Sequence, residues 1–177
     1  MRDDPEAAMQ GYAIQPARPE HLPLLGKIET EAAGLFPPGS IPDAARSDCL
    51  PIALLEEGRE KGRLWVALTA EEIPVGYALL RILDRIALLA QIDVLPAHGR
   101  RGIGRELVAQ AALAARKEGF SSLWLTTFTH VPWNAPFYAR IGFAAEPEDS
   151  LPPVIRRILQ TERAAGFSNR TAMRLRL

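Results

Sequence analysis

Between Gln91 and Gly119 an apolar strand runs through a basic, glycine-rich turn into a helix, and the residues of that turn suit one piece of chemistry, the holding of a phosphate. The first turn of a helix carries backbone N–H groups with no intrahelical partner, and it is the positive end of the helix dipole. Gly102 and Gly104 lack a Cβ and leave the main chain open to a diphosphate, while Arg100, Arg101 and Arg105 add counter-charge. Ile103, Leu107, Ala111 and Ala114 recur at helical spacing, Val108, Ala112 and Ala115 widen the stripe, and Gly119 ends the helix. An ordinary strand-to-helix connection with solvated arginines would use the same residues, so the glycine pair alone is weak. The order of the glycines separates two nucleotide folds from this turn. Gly99, Gly102 and Gly104 give G-x-x-G-x-G, the reverse of the dinucleotide spacing, and the Gly-Lys-Ser/Thr of a phosphate-binding NTPase loop is absent.

A second stretch, His130 to Phe143, predicts a short helix that starts at Asn134, a residue suited to an N-cap, stops at Gly142 and carries Phe137, Tyr138 and Ile141. The two stretches together resemble the Gcn5-related N-acetyltransferase family. That family's acetyl-CoA loop reads Gln/Arg-x-x-Gly-x-Gly/Ala after a strand ending in Val-x-Pro. Val94-Leu95-Pro96 and Arg100 to Gly104 match it, and Gly99 departs from the first loop position. Its second signature, Phe-Tyr followed four residues on by Gly-Phe, is matched by Phe137-Tyr138 and Gly142-Phe143.

The resemblance implies acetyl-CoA as co-substrate, with its diphosphate on Gly99, Arg100, Arg101, Gly102, Ile103, Gly104 and Arg105. It also implies a pantetheine arm laid as an extra strand along Ile92 to Val94, beside a bulge. Tyr138 stands where many members place the proton donor for the departing thiolate; a tyrosine that only packs its helix is the alternative. Members often hold the CoA arm with an Asn seven residues before that tyrosine. Val131 stands there, and Asn134 either takes over the task or caps the helix. The loop from Phe36 to Pro42 is implied to wall the acceptor pocket. No metal is implied, and although many members dimerise, no stretch specifies an interface.

The base departs from the family pattern. Where members frequently carry a glutamate, three residues before the Val of Val-x-Pro, this chain has Gln91, whose amide cannot usefully take a proton. Strand alternation places Gln91 and Asp93 on one face and Ala90, Ile92 and Val94 on the other, which makes Asp93 the nearest carboxylate able to look into the same site. Glu29 and His130 compete for the role, as does a water relay; Glu29, Phe36, Gln91 and His130 are also candidates for contact with the acceptor. The acceptor itself is read as a small-molecule primary amine. A protein or peptide N-terminus is the next reading, then a drug such as an aminoglycoside, which would favour an acidic pocket. A catalytically idle CoA-binding regulatory module is the reading of a different class.

The elements that must position these residues follow from periodicity. Residues 1–10 read as a disordered tail, and 11–177 as a single α/β domain with a mixed, mostly antiparallel sheet flanked by helices, in which the resemblance implies a parallel, splayed central strand pair. Tyr12 to Gln15 predicts an edge strand. Pro19 opens a helix carrying Leu22, Leu25, Ile28 and Ala32, and a second helix is predicted across Asp43 to Glu60. Arg63–Thr69, Val75–Leu83 and Ile86–Leu95 form a meander, with a turn at Asp84-Arg85. Ser122–Phe128 is a strand reached by a helical crossover. Phe143–Glu146, Val154–Ala165 and Thr171–Leu177 complete the chain as strand, helix and strand.

Composition limits the classes. The 177 residues are 47% apolar and 24% charged, enough for one domain with a sizeable core. A formal net charge of zero argues against a nucleic-acid partner. No apolar run reaches membrane-spanning length, and the acidic start lacks a signal core. The single Cys49 allows no internal disulfide, so a cytoplasmic, reducing location is expected. If the glycine turn is the CoA cradle, saturating CoA and acetyl-CoA will raise the melting temperature while NAD leaves it unchanged. The stabilisation is roughly 2.7 kcal/mol at about a hundred times the dissociation constant. Gly102→Val will abolish the shift without unfolding the domain; an unmoved melting curve for the unaltered protein would refute the cradle.

Overall fold

A computed structural model describes residues 9–177, which fold around one seven-stranded sheet. The strands are β1 (Tyr12–Pro16), β2 (Leu64–Thr69), β3 (Pro74–Leu83), β4 (Ile86–Val94), β5 (Ser122–Phe128), β6 (Ala144–Ala145) and β7 (Arg170–Arg176). The helices are α1 (Leu22–Ala33), α2 (Ile52–Glu60), α3 (Ile103–Lys117), α4 (Ala135–Ile141) and α5 (Pro153–Ala164). In space the strands run β1-β2-β3-β4-β5-β7-β6, antiparallel throughout except for β4 beside β5. The mixed sheet and parallel central pair expected from the sequence are present. Among the described residues no helix is long and apolar enough to cross a membrane.

Two apolar layers clamp the sheet. On one face α3 lays Ile103, Leu107, Val108, Ala111 and Ala115 against Trp65, Ala78, Leu80, Leu89 and Leu125. On the other, α1 and α2 set Leu25, Ile28 and Leu55 against Val66, Tyr77 and Leu79, and α5 sets Val154, Ile155 and Leu159 against Trp124 and Ala172. Trp65 and Trp124 are core residues, as expected. A buried leucine such as Leu107 contributes about 2–5 kcal/mol relative to alanine, so these layers fix where the sheet can open.

Two expectations are corrected, and a third lies mostly outside the described residues. The helix predicted over Asp43–Glu60 begins only at Ile52, and Asp43–Arg46 is a single 3-10 turn. Pro51 sits at the N-cap with φ −56° and ψ 135°, and a proline disfavours helical dihedrals at the residue before it, so periodicity alone overran the boundary. The expected tail over 1–10 lies mostly outside the described residues, but Met9 accepts a backbone bond from Tyr12 at 2.9 Å and packs against the core beneath α3. Simple alternation also misplaces Ala90.

The misplacement of Ala90 concerns the bulge the family resemblance implied. The β3–β4 hairpin turns at Asp84 and Arg85, both left-handed (φ 47° and 64°), the two-residue turn whose twist suits the flanking strands. Pairing then runs regularly to Leu80↔Leu89, but the next pair is Leu79↔Gln91, so Ala90 is an extra residue in β4. Ala90 consequently packs with the α1, α2 and α5 side, whereas Ile92 and Val94 face α3. The slip by one residue sets Asp93, instead of Ile92, opposite Tyr77. Beyond the bulge Gly76 lies against Val94, and a Cβ on it would meet the Asp93 carbonyl oxygen at 2.9 Å and Val94 Cγ2 at 3.1 Å. Gly76→Ala is therefore expected to cost about 1–3 kcal/mol by overpacking against backbone, read as a lower urea midpoint with an unchanged slope. An unaltered midpoint would mean that β3 and β4 separate freely here.

Candidate active site

Where β4 ends, a 3-10 turn (Pro96–His98) leads into the glycine loop, with left-handed backbone at Arg100 (φ 60°) and at Gly102 (φ 78°), the N-cap of α3. The first intrahelical bond runs from the Glu106 N–H to the Gly102 carbonyl at 3.0 Å, so the N–H groups of Ile103, Gly104 and Arg105 have no intrahelical acceptor. Arg100, Arg101 and Arg105 are exposed, and among the described residues none of them is ion-paired. Free N–H groups and unpaired arginines thus share one loop, with their positive charge unspent. Gly104 has a second reason to be glycine: a Cβ there would meet Phe137 Cζ at 3.3 Å, where α3 and α4 touch.

The parallel pair is short. β4 and β5 are paired only at Ala87↔Leu123 and Leu88↔Trp124, after which they part. The main chain of β4 from Leu89 onward thus faces a gap with no strand partner, and a cavity of ≈ 530 Å³ occupies it. Leu89 to Asp93 line it from β4 and Leu125 to Phe128 from β5. Glu29 lines it from α1; Phe36, Ile41, Asp48 and Cys49 from the loop after α1; Asn134 and Tyr138 from α4 and its cap; and Glu162, Phe167 and Arg170 from the C-terminal part.

Asp93 accepts a hydrogen bond from Gln91 Nε2 at 2.6 Å. The amide that replaces the family's glutamate therefore holds the neighbouring carboxylate. Burial pushes the Asp93 carboxyl up to about 7, the Gln91 bond working the other way and the Glu29 charge adding to the rise. Burial, then the Asp93 charge, likewise raises the Tyr138 hydroxyl above its ordinary value. The Tyr138 ring is fixed edge-on between Phe137 and Phe143, at centroid distances of 5.1 and 5.8 Å. Glu29, only 7% exposed, accepts the Leu50 N–H on Oε2 at 3.0 Å, and its carboxyl is also pushed up by burial.

Asn134 stands at the N-cap of α4 but makes no capping bond; its Oδ1 accepts the Thr127 hydroxyl at 3.1 Å, which aims the side chain at the gap. Val131 is buried with Ile41 and Phe128. His130 is exposed, stacks edge-on against Phe128 and lies outside the cavity lining. Sequence reasoning passed over Tyr77, whose buried hydroxyl lies beside Glu29 and Asp93, and the Thr126–Glu162–Arg170 network. A hairpin register carried through the bulge would have found Tyr77 opposite Asp93; nothing local signals that Glu162 and Arg170 meet β5. Among the described residues no three His, Cys, Asp or Glu side chains are grouped to hold a metal.

Fold and site together define an α/β protein with a split sheet and an arginine-rich helix start at the split. The chain belongs to the acetyltransferase (GNAT) family, whose profile matches residues 28–143. Over 98 residues it is 37% identical to streptothricin acetyltransferase from Streptomyces lavendulae, a match covering 50% of each chain, so it spans about half the length of that relative. The fold is shared with N-acetylglutamate synthase from Neisseria gonorrhoeae complexed with coenzyme A and N-acetyl-glutamate (TM-score 0.68, 20% identity, 94% of this chain and 35% of that one). It is shared equally with the PaiA N-acetyltransferase from Thermoplasma acidophilum in complex with coenzyme A (TM-score 0.67, 18% identity, 94% and 99% covered). At these identities the structural likeness is one of fold.

The elevated Asp93 carboxyl has a consequence for stability. An acid whose folded value lies above its unfolded one favours folding at low pH, and that contribution is lost as pH rises from about 4 to about 7. Asp93→Asn keeps the acceptor for Gln91 and removes the buried charge, so its melting temperature is expected to exceed that of the unaltered protein at pH 8 and to approach it at pH 4. Equal melting curves at pH 8 would show that Asp93 is ionised without cost.

Proposed function

We propose that the chain transfers an acetyl group from acetyl-CoA to the primary amine of a small molecule. The observation that carries this reading is the meeting, in one cavity at the parting of β4 and β5, of the half-buried Asp93 carboxyl and a phenol fixed by its neighbours. The residues present fit the co-substrate. The free N–H groups and unpaired arginines of the Gly99–Arg105 loop suit a diphosphate, and the unpartnered edge of β4 at Ile92 and Val94 suits the amide-rich arm. Asn134, with its oxygen taken by Thr127, turns its amide N–H groups to that arm. Gly99 offers backbone only, so binding is expected to be weaker than with the family's Gln or Arg.

Acetyl-CoA supplies the activated acyl group. Asp93, ionised above about pH 7, takes one proton from the acceptor's ammonium and passes it to solvent. The freed nitrogen forms a C–N bond to the carbonyl carbon as the C–S bond breaks, while β4 main-chain N–H groups stabilise the developing oxyanion. Tyr138 donates its proton to the sulfur and is recharged by the second proton of the nitrogen, so that one proton is released overall. The cavity walls from α1 and the Phe36–Leu50 loop leave room for a compact amine, which supports a small molecule over a polypeptide end. The name of the streptothricin relative supports the same class.

Free-thiol release across an amine panel tests the activity; CoA binding without turnover of any amine would leave an idle binding module. Tyr138→Phe should lower the single-turnover rate by ~10²–10⁴ with CoA affinity nearly unchanged, and equal rates would return Tyr138 to packing. The rise of kcat/KM with pH through about 7 should vanish in Asp93→Asn. A limb that persists in that variant belongs to another group.

A further inference from the structure

We propose that the cavity selects acceptors bearing a second positive charge, of the diamine or oligoamine class, and that Glu29 receives the ammonium that does not react. The proposal deepens the acetyl-transfer reading and rests on it for the identity of the reacting amine.

Arg170 is the one base among the described residues lining the cavity, and it is already spent. Its Nε and Nη2 donate to both oxygens of Glu162 at 2.9 and 2.8 Å, and Nη2 also donates to the Thr126 hydroxyl at 2.9 Å. With that pair neutral, Glu29, Asp48 and Asp93 remain as three carboxylates facing one space with no opposite charge. Asp93 is engaged with the reacting nitrogen. Glu29 comes from a different element, α1, and only one of its oxygens is used, by the Leu50 N–H. Its Oε1 is buried beside the Tyr77 hydroxyl, close enough for the phenol to favour the ionised carboxylate but without a hydrogen bond of good geometry, and Tyr77 also lies beside Asp93.

An unpaired buried carboxylate oxygen is costly, and a ligand ammonium aimed at it removes that cost. Native proteins leave few such groups, and this one lines a cavity that a ligand can enter. Phe36, Ile41 and Leu89 on the lining give the apolar surface that a chain of methylenes between two amines would cover. Asp48, exposed at the edge of the same cavity, adds attraction for a longer, more highly charged acceptor.

The experiment compares 1,4-diaminobutane with 1-aminobutane as acceptors for the full chain and for Glu29→Gln, which keeps an acceptor for the Leu50 N–H. The expected result is a preference for the diamine of roughly tenfold or more in kcat/KM, carried by KM and reduced to near equality in Glu29→Gln. Equal use of the two amines by the unaltered protein, or a preference that survives Glu29→Gln, would overturn the proposal. So would loss of kcat for the monoamine in Glu29→Gln, because Glu29 would then be the base. Should Glu29→Gln fail to fold by circular dichroism, Asp48→Asn takes its place, with a smaller loss of diamine preference expected and no loss overturning the proposal. Calorimetric titration of the diamine without acetyl-CoA separates the two readings. Glu29-dependent binding without turnover would sustain the cation site and defeat acetyl transfer, and turnover without diamine preference would do the reverse.

Discussion

The parting of β4 from β5 is the constraint on which the rest of this structure depends. Backbone N–H and C=O groups must find partners, and a central strand normally finds them on both sides. Here β4 does so for two residues and then turns away, because an extra residue at Ala90 bends it while β5 continues straight into its pairing with β7. The gap lies inside a sheet whose two faces are clamped by α3 on one side and α1, α2 and α5 on the other, so it is held open by packing instead of closing up. A main-chain edge at the centre of a domain, sheltered from edge-to-edge pairing with another chain, is the feature the candidate site exploits.

The same bulge sets the electrostatics. By slipping the register one residue it swings Asp93 toward α1, opposite Tyr77 and within the influence of Glu29. Two carboxylates and a phenol near one another in a poorly solvated space all resist ionisation, which is the condition that brings an aspartate into the range of a useful base at neutral pH. The arrangement is maintained against a stability cost, since the folded state has to carry charge that water would have solvated. The Gln91 amide limits that cost at Asp93 without supplying a counter-charge.

Much of this architecture is legible in the chain. The Asp84-Arg85 turn, the apolar strands around it and the amphipathic run from Ile103 to Lys117 are local patterns, and local patterns are what a sequence displays directly. Pro51 is legible too, but the helical periodicity upstream of it points to a helix from Asp43, and only the proline marks the true start at Ile52. His130 illustrates a different point. A histidine next to a motif invites a chemical role, but its orientation depends on Phe128, which holds it outside the cavity lining.

The sequence by itself determined the elements, the glycine turn with its arginines, the family and the position of Tyr138, because each depends on spacing within one short segment. Only the tertiary structure decided that Ala90 bulges, that Asp93 consequently faces Tyr77 and Glu29, and that Arg170 is neutralised by Glu162. Those outcomes depend on the register between strands and on helices packed from distant parts of the chain. A one-residue slip in register moves every later side chain to the other face while leaving the local pattern unchanged.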